Sequence, residues 1–295
     1  GFDGRLGKLS ETVFGNLEEM GYAVQVGVLT AADYGVPQLR ERAIFIASAT
    51  GVVDLPMPTH ADPQRTDLIA AGRKPWTTVG DAIKDLPPPP EAEDKLGGGA
   101  ASFYKETDAE YAQSLRSVKA FPYNHLSRTY RKSVLRLIKE MRPGQTWDAE
   151  SARMRDRYAL EIDKYRDNEG CSVAAAKSAL EKAGIINPAF YKAYYLSAYT
   201  RLALEFPALT ITANANFLGS GRFTHPEELR GITMREAARL QSFDDDFRFV
   251  TSIDCDDDTA NIGVGMDMIG EAVPPLLAEA IANCLADHLD RQNIQ

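Results

Sequence analysis

The 295-residue sequence contains few cysteines and histidines, and their spacing excludes the commonest metal and disulfide arrangements. Its three cysteines, Cys171, Cys255 and Cys284, are scattered, and none belongs to a Cys-x-x-Cys pair. The four histidines are equally dispersed and have no metal-ligand spacing. We therefore expect no bound metal and no disulfide framework, which suits a reducing cytoplasm.

Long apolar runs are also missing, since no stretch approaches the roughly 20 apolar residues that a membrane span needs. No charged-then-apolar leader opens the chain. The hydrophobic content of 44% and charged content of 25% are ordinary for a soluble globular protein of one large or two small domains. We expect a cytoplasmic protein with no membrane partner.

A net positive charge is absent as well, because the formal net charge is −9. Phosphate binding depends on lysine and arginine, so this sum does not favour a nucleic-acid partner. The acidic residues are concentrated late, at 244–246 and 254–258, whereas basic residues are concentrated between Arg128 and Arg142. Binding depends on where charge lies, so composition neither supports nor excludes DNA.

The first part of the chain has an α/β pattern. Ser10 is predicted to cap a helix that ends at Gly21. Alternating apolar residues at 22–29 and a short apolar run at 43–47 predict two strands. The pattern is typical of the last part of an α/β sheet.

The middle of the chain changes from a proline- and glycine-rich stretch to a helical one. Residues 50–101 are predicted to be a linker, and residues 102–195 are predicted to be mostly helical. Thr107 and Glu110 fit a capping box. Ser172 and Gly184 bracket an alanine-rich helix, and residues 206–222 are predicted to be extended chain and turn.

Three sequence blocks carry the strongest functional signal. Residues 34–42 contain Gln38, Arg40 and Arg42, spaced as Gln-x-Arg-x-Arg. Residues 230–243 include a capped helix with the sequence Thr-Met-Arg-Glu-Ala-Ala-Arg-Leu-Gln, and residues 269–275 spell Ile-Gly-Glu-Ala-Val-Pro-Pro. In this order and spacing, the blocks resemble the DNA cytosine-5 methyltransferase family. Residues 102–195 match poorly, as a variable recognition region would.

The resemblance implies an α/β fold in three parts. Residues 1–50 would be the C-terminal part of the methyltransferase Rossmann-like sheet. Residues 51–265 would be a linker and a mixed α/β target-recognition domain. Residues 266–295 would be a C-terminal helix that returns to pack on the catalytic domain.

Several motifs of the resembled family are missing. That family binds S-adenosylmethionine with a Phe-x-Gly-x-Gly loop after its first strand, attacks with the cysteine of Pro-Cys-Gln, and holds the base with the glutamate of Glu-Asn-Val. We find no such loop after a first strand, and neither of the other two motifs. Gly1-Phe2 resembles the residues that follow Glu-Asn-Val.

These absences predict a split enzyme. A second polypeptide would carry the three missing motifs and bind most of the S-adenosylmethionine, so this chain would be inactive alone. An excerpt of one longer methyltransferase chain has the same sequence signature. A different class, a non-catalytic DNA-binding or regulatory module derived from the family, is the alternative function.

The chemistry explains why the arginines matter. A cysteine thiolate adds to carbon 6 of an extruded cytosine, and groups that hold the ring neutralise the developing charge. The resemblance implies that Arg42 contacts the O2 edge of the cytosine and that Arg40 orients neighbouring active-site groups. Gln38 would support the turn or the opposite strand. From the residues alone, Arg40 and Arg42 could equally be surface cations beside Glu41.

Double-stranded DNA is the expected substrate. One predicted helical face carries three cations that could contact phosphates, although a solvated charged face would look the same. Three further residues lie where the family's recognition domain approaches DNA. The DNA-binding candidates are therefore Lys132, Arg136, Lys139, Arg201, Thr210 and Arg222.

Other residues of the blocks favour structural roles. Arg235 and Arg239 are predicted to bond the scaffold rather than bases. Four tyrosines could stack on bases, but core packing explains them more simply; they are Tyr191, Tyr194, Tyr195 and Tyr199.

The third block bears on the methyl donor. Glu271, Ala272 and Val273 are its cofactor-binding candidates, but Glu271 replaces the family's asparagine. A carboxylate there would change the hydrogen bonding and charge near a sulfonium, which weakens the expectation of direct contact. The resemblance suggests a prokaryotic or phage-like, nucleoid-associated setting such as restriction-modification.

Overall fold

The computed structural model describes residues 5–90, 104–116, 122–249 and 261–293. Short 3-10 turns lie at Ala31–Tyr34, Pro188–Tyr191 and Leu218–Ser220. The helices and strands of these ranges are, in chain order, α1 (Arg5–Glu19), β1 (Ala23–Thr30), β2 (Gln38–Leu39), β3 (Glu41–Ser48), β4 (His60–Ala61), α2 (Thr66–Ala70), β5 (Lys74–Pro75), α3 (Val79–Ile83), α4 (Glu110–Leu115), α5 (Lys132–Lys139), α6 (Trp147–Glu169), α7 (Val173–Lys182), β6 (Ala208–Leu209), α8 (Met234–Leu240), α9 (Ile262–Glu271) and α10 (Pro275–Asn293).

The two long strands form an antiparallel hairpin. β1 pairs with β3 over eight residues, and Thr30 at the end of β1 lies opposite Glu41 at the start of β3. These strands confirm the two that the apolar pattern predicts. The short strand β2 leads into β3 and pairs in parallel with β6, with Gln38 opposite Ala208. This pairing brings the Gln-x-Arg-x-Arg segment against a distant part of the chain.

Three hydrophobic clusters form the interior. The largest surrounds α8 and takes side chains from α3, α5 and α9, with Leu240 and Ile211 fully buried. A second lies between α5, α6 and α7 around Trp147. A third joins the β1–β3 hairpin to α10 through Leu277, which is fully buried. The last helix therefore packs on the hairpin at the opposite end of the sequence.

Two of the helix starts predicted from sequence are wrong. α1 begins at Arg5, so Ser10 lies inside the helix rather than at its cap. α4 begins after Ala109, which has no side-chain cap, and the Thr107 hydroxyl accepts from the Ala109 N–H instead. In both cases the helix starts at a different residue from the polar one that was predicted to cap it.

The other caps are confirmed. Thr233 and Glu236 form a reciprocal capping box at the start of α8, and Ser172 caps α7. Thr78 and Asp81 form a further capping box at α3. In each case the side chain satisfies backbone N–H groups that a helix start leaves without partners.

Residues 50–101 are only partly a linker, which corrects the prediction from proline and glycine content. Val79, Ala82, Ile83 and Leu86 are buried in the largest cluster. Their spacing of three and four residues is that of an apolar helical stripe. Because this apolar stripe is short and surrounded by prolines, the sequence pattern predicted a linker.

Residues 262–292 are, by length and composition, apolar enough to cross a membrane, which corrects the expectation that the chain has no such stretch. The backbone breaks between Glu271 and Pro275, where α9 ends and α10 begins. Met266, Ile269 and Leu277 are buried against the rest of the protein. Packing within the protein therefore accounts for part of this apolar character.

Candidate functional site

Gln38 is a fully buried connector between three segments. Its side-chain amide donates from Nε2 to the carbonyl of Leu240 at 2.9 Å, and its Oε1 accepts from the N–H of Ile211 at 2.9 Å. Leu240 is the last residue of α8, and Ile211 follows β6. The amide therefore holds β2 against both, as expected of a residue that supports the opposite strand.

Arg40 is buried as deeply, with 1% of its surface exposed. Its guanidinium donates to the carbonyl of Ile211 at 2.8 Å, of Gly270 at 2.8 Å and of Ala272 at 3.1 Å. Burial, and secondarily the nearby charge of Arg42, lower the pKa of Arg40 to about 10. The guanidinium is therefore not a surface cation. It connects the motif strand to the Ile211 segment and to the end of α9.

Arg42 differs from Arg40 although both lie on the same side of an extended strand. Arg42 is half-buried, and within the described ranges its side chain donates from Nη1 to the carbonyl of its neighbour Glu41, at 2.7 Å. Burial lowers its pKa. A guanidinium has five N–H donors in a planar fork, so most of this group stays available to an external acceptor.

The opposite side of this strand faces a cavity of about 520 Å³. Its lining residues are Thr30, Leu39, Glu41, Trp76 and Thr210. The Thr210 hydroxyl donates to the carbonyl of Leu39 at 3.1 Å, which anchors it to the motif strand. Thr210 thus lies beside the Gln-x-Arg-x-Arg segment, and its hydroxyl is already used within the protein.

Arg201, which is predicted to contact DNA, is used within the protein. Its side chain is buried and donates to the carbonyls of His225 at 3.1 Å and Glu228 at 3.0 Å. Arg222 is half-buried, and donates to the hydroxyl of Thr200 and the carbonyl of Gln145, each at 3.2 Å. The sequence could not separate these two arginines, because the difference between them lies in tertiary contacts.

The basic helix is where the sequence predicts it. Lys132, Arg136 and Lys139 are exposed along α5, while Leu137 and Ile138 are buried on its other side. The Arg136 guanidinium donates to the carbonyl of Gly184 at 2.5 Å, so part of its hydrogen-bonding capacity is used within the protein. The two lysines extend freely enough to meet phosphates.

Buried ion pairs hold helix α8 in place. The sequence predicted the structural role of its arginines but not their acidic partners. Arg239 donates to both Asp85 and Asp245, the latter at 2.6 Å, and all three side chains are fully buried. Arg235 donates to the carbonyls of Tyr123, Asp244 and Phe247. Both arginines therefore bond the scaffold, as predicted. Asp85 carries no local signal because its partner is 154 residues away.

A second buried ion pair caps the same helix. Arg230 donates to both carboxylate oxygens of Glu236, at 2.7 and 2.8 Å. Burial acts to raise the pKa of Glu236, but the hydrogen bonds and charge of Arg230 outweigh it and lower that pKa to about 2. His225 lies 3.6 Å from Glu236, and its Nδ1 accepts from the N–H groups of Glu227 and Glu228.

A family model of the C-5 cytosine-specific DNA methylases matches residues 3–286. The chain belongs to this family. The match covers the chain almost end to end, so it supports the family but not the narrower description as a C-terminal portion.

Similar methylases come from bacteria and plants. The type II methylase M.HgiDII of Herpetosiphon aurantiacus is 28% identical over 96% of this chain and 61% of its own length. M.AgeI of Thalassovita gelatinovora is 28% identical over 91% of this chain and 67% of its own length. DNA (cytosine-5)-methyltransferase 1A of Oryza sativa is 30% identical over 96% of this chain but only 18% of its own length. The chain thus spans about two thirds or less of these relatives.

A solved structure shares the mixed α/β fold. It is described as a DNA modification methyltransferase encoded within a prophage, from E. coli, and superposes with a TM-score of 0.59. The alignment covers 98% of this chain and 67% of the other, at 20% identity. At this identity the likeness shows the fold.

The methylase family uses S-adenosylmethionine, and the three cofactor candidates do not enclose a site for it. Glu271 and Val273 are exposed, and Ala272 is half-buried with its carbonyl accepting from Arg40. The Phe-x-Gly-x-Gly spacing does occur at residues 217–221, but Leu218–Ser220 form a 3-10 turn rather than a loop between a strand and a helix. A turn of this kind is not the methylase donor loop.

The cysteines of the described residues also lack the setting of a methylase nucleophile. Cys284 lies on α10, and burial with nearby acidic groups raises the pKa of its thiol. A raised pKa disfavours the thiolate that attacks carbon 6. Cys171 packs against the cluster around Trp147. Cys255 and the acidic run at 254–258 lie outside the described residues.

Proposed function

We propose that this chain works in cytosine-5 methylation of DNA, in which a methyl group passes from S-adenosylmethionine to carbon 5 of an extruded cytosine. It contributes the DNA-recognition region and the arginine that holds the base. The nucleophilic cysteine, the cytosine-binding glutamate and most of the donor site belong to residues outside these 295.

One observation carries the proposal: the motif strand has two buried residues that fix it and one arginine that stays available. The side chains of Gln38 and Arg40 form hydrogen bonds with Leu240, Ile211 and the end of α9. Arg42, next on the same side, keeps most of its donors free. A cation on a strand whose backbone is fixed in this way can stabilise charge on the O2 edge of a pyrimidine.

The cysteines support the need for an external nucleophile. Neither described cysteine follows a proline, Cys284 has a raised thiol pKa, and Cys171 packs in the recognition region. Covalent catalysis needs a thiolate within reach of the ring that Arg42 holds. The described part of the chain supplies none with these properties.

The free edges of the β1–β3 hairpin are the proposed site at which the rest of the catalytic domain docks. In the described ranges β1 and β3 pair only with each other, so each has an unpaired outer edge. Two-stranded sheets are marginal alone, and long free edges are rare in finished folds. Val28 and Val52 are exposed on or beside this sheet. The proposal is that the catalytic part continues the Rossmann-like sheet here.

The test is a labelled methyl-transfer assay with a polypeptide that carries the Phe-x-Gly-x-Gly, Pro-Cys-Gln and Glu-Asn-Val motifs, added either as a separate chain or fused upstream. Arg42→Ala is expected to abolish transfer and leave duplex binding nearly unchanged. Arg65→Ala, which removes an exposed arginine paired with Asp67, is the control and should retain both properties.

Two results would count against the proposal. Equal loss of transfer and duplex binding in Arg42→Ala would remove the assigned role of that arginine. Duplex binding without transfer in either mixture would favour the alternative of a non-catalytic DNA-binding module. Transfer with the separate polypeptide would support a split enzyme, and transfer only with the fusion would support a single longer chain.

A further inference from the structure

Residues 191–196 form an exposed aromatic loop in the recognition region. All six are exposed, and the tip is the most apolar part, since Tyr195 is 78% and Leu196 60% exposed. Large side chains exposed together in a soluble protein mark contact surfaces more often than isolated ones do. The four tyrosines therefore divide. Tyr191 stacks on Tyr158, Tyr194 and Tyr199 pack with Trp147, and Tyr195 points away from the core.

The loop is held rigidly by a single buried residue. Trp147 donates its indole N–H to the carbonyl of Lys192 at 3.2 Å and its backbone N–H to the carbonyl of Leu196 at 2.6 Å. Its ring stacks on Phe190 with centroids 5.4 Å apart and meets the ring of Tyr194 edge-on at 4.9 Å. Tyr195 lies between these two anchors. Its position is therefore set before any ligand binds, which reduces the entropy lost on binding.

A strained residue follows three positions after the loop. Tyr199 has φ of 56°, a left-handed conformation that bulky residues rarely adopt. Its N–H donates to the carbonyl of Leu218 at 2.6 Å, and its ring packs edge-on against Tyr194 at 5.4 Å. Such strain persists where the surroundings enforce it, often at binding sites.

The chain segment that contains the loop is poor in acidic residues. Residues 182–226, which are 45 positions, contain a single acidic residue, Glu205, although the whole chain has 42 in 295. Arg222 bonds to the Gln145 carbonyl and the Thr200 hydroxyl and forms no ion pair within the described ranges. Burial lowers its pKa. A half-buried cation without a carboxylate is complementary to an anionic ligand.

A second cation, Arg142, lies five residues before Trp147 in the chain. Glu150 is fully buried and forms ion pairs with both Arg142, at 2.8 Å, and Arg153, at 2.6 Å. One carboxylate between two guanidinium groups leaves a net positive charge. The Arg142 side chain remains 58% exposed. The acidic group nearest in sequence to Trp147 is Asp148, in the first turn of α6.

We propose that Tyr195 and Leu196 enter a groove of the DNA duplex and contact the bases, while Arg142 and Arg222 bind the flanking phosphates. This inference rests on the proposed function, and it names the surface by which the recognition region meets its target. An apolar tip beside two cations matches a duplex, in which base edges lie beside anionic strands. The polar surroundings argue against a protein partner, which becomes an outcome of the test.

The experiment uses the whole chain and needs no methyl transfer. The chain first selects a duplex from a pool with a randomised centre, and its affinity for that duplex is then measured over a range of salt concentrations. Tyr195→Ala is expected to bind about tenfold more weakly with an unchanged salt dependence, because aromatic contacts to bases release no counterions. Arg222→Gln and Arg142→Gln should each lower the slope of log affinity against log salt by about 0.9.

Leu160→Ala is the matched control. Leu160 is 73% exposed on the same helix as Trp147, about 20 Å further along its axis at 1.5 Å per residue. It should bind like the unaltered chain. Unchanged affinity of Tyr195→Ala, or equal weakening in Leu160→Ala, would overturn the inference alone. If the unaltered chain binds no duplex at low salt, both this inference and the proposed function are wrong. If the loop binds a protein and the chain does not bind DNA, the partner of the loop is a protein and not DNA.

Discussion

Arg40 donates a hydrogen bond of 2.8 Å to the carbonyl of Gly270, 230 residues further along the chain. Gly270 belongs to α9, and a side chain added there would collide with the backbone of Thr212 and Ala213. The motif strand, the segment after β6 and the end of α9 therefore meet at this point. The arginine that a sequence motif marks as functional is therefore also a central structural contact.

Arg40→Met tests this structural role. It removes the donors to three carbonyls, two of them buried and that of Ala272 half-buried, while keeping a long side chain. Each unsatisfied buried carbonyl costs about 1 kcal/mol or more. We expect the free energy of unfolding in urea to fall by about 3 kcal/mol. Arg42→Met should change it little. Similar losses in both variants would show that the two arginines are not divided between structure and function.

The buried ion pair of Arg239 makes a second prediction about stability. Asp85→Ala leaves the guanidinium with one of its two buried carboxylates, and breaking a buried pair costs about 3 kcal/mol or more. Thermal unfolding should occur at a clearly lower temperature. Asp67→Ala breaks the exposed pair with Arg65 and should have little effect. An unchanged melting temperature for Asp85→Ala would contradict the buried network.

Glu236 predicts a dependence of stability on acidic pH. Its pKa is about 2 in the folded chain against an ordinary 4.5, so the unfolded state binds more protons between these values. The stabilisation is complete above about pH 4.5 and is lost as the pH falls towards 2. It amounts to about 3 kcal/mol. Urea unfolding of Glu236→Gln from pH 5 to pH 2.5 should show a shallower decline than the unaltered chain, and parallel curves would rule this contribution out.

The arginine and lysine candidates for DNA contact separate by salt dependence. Lys139→Gln on the exposed face of α5 should lower the slope of log affinity against log salt by about 0.9, for one lost phosphate contact. Arg201→Gln removes a buried guanidinium from two carbonyls, so it should reduce thermal stability and leave the slope of the folded protein unchanged. A change in slope for Arg201→Gln would restore it as a DNA contact.

Local sequence signals predicted much of the fold, and tertiary contacts account for what they missed. Thr233 and Glu236 lie three residues apart, so their capping box is visible in the sequence. The hydrogen-bond partners of Gln38 and Arg40, and the partner Arg239 of Asp85, lie 154 to 232 residues away, so these contacts are not visible in the sequence. The spacing of Gln38, Arg40 and Arg42 indicated the family. It gave no sign that the first two are buried and the third is not, because an alternating strand places all three on one side.

The candidate DNA surface shows the same limit. The cations of α5 follow a helical period, so the sequence could group them. Arg201 and Arg222 have no period, and burial alone distinguishes them. Tyr195 differs from Tyr194 and Tyr199 only through the contacts of Trp147, which lies 48 residues before Tyr195 in the chain.

Methyl transfer by the purified chain alone is the most direct measurement of the central claim. With labelled S-adenosylmethionine and duplex DNA, we predict no incorporation by these 295 residues and incorporation once a polypeptide with the cysteine, the glutamate and the glycine-rich loop is added. Incorporation by the homogeneous chain without any addition would show that one of its own residues serves as the nucleophile, and would contradict the account.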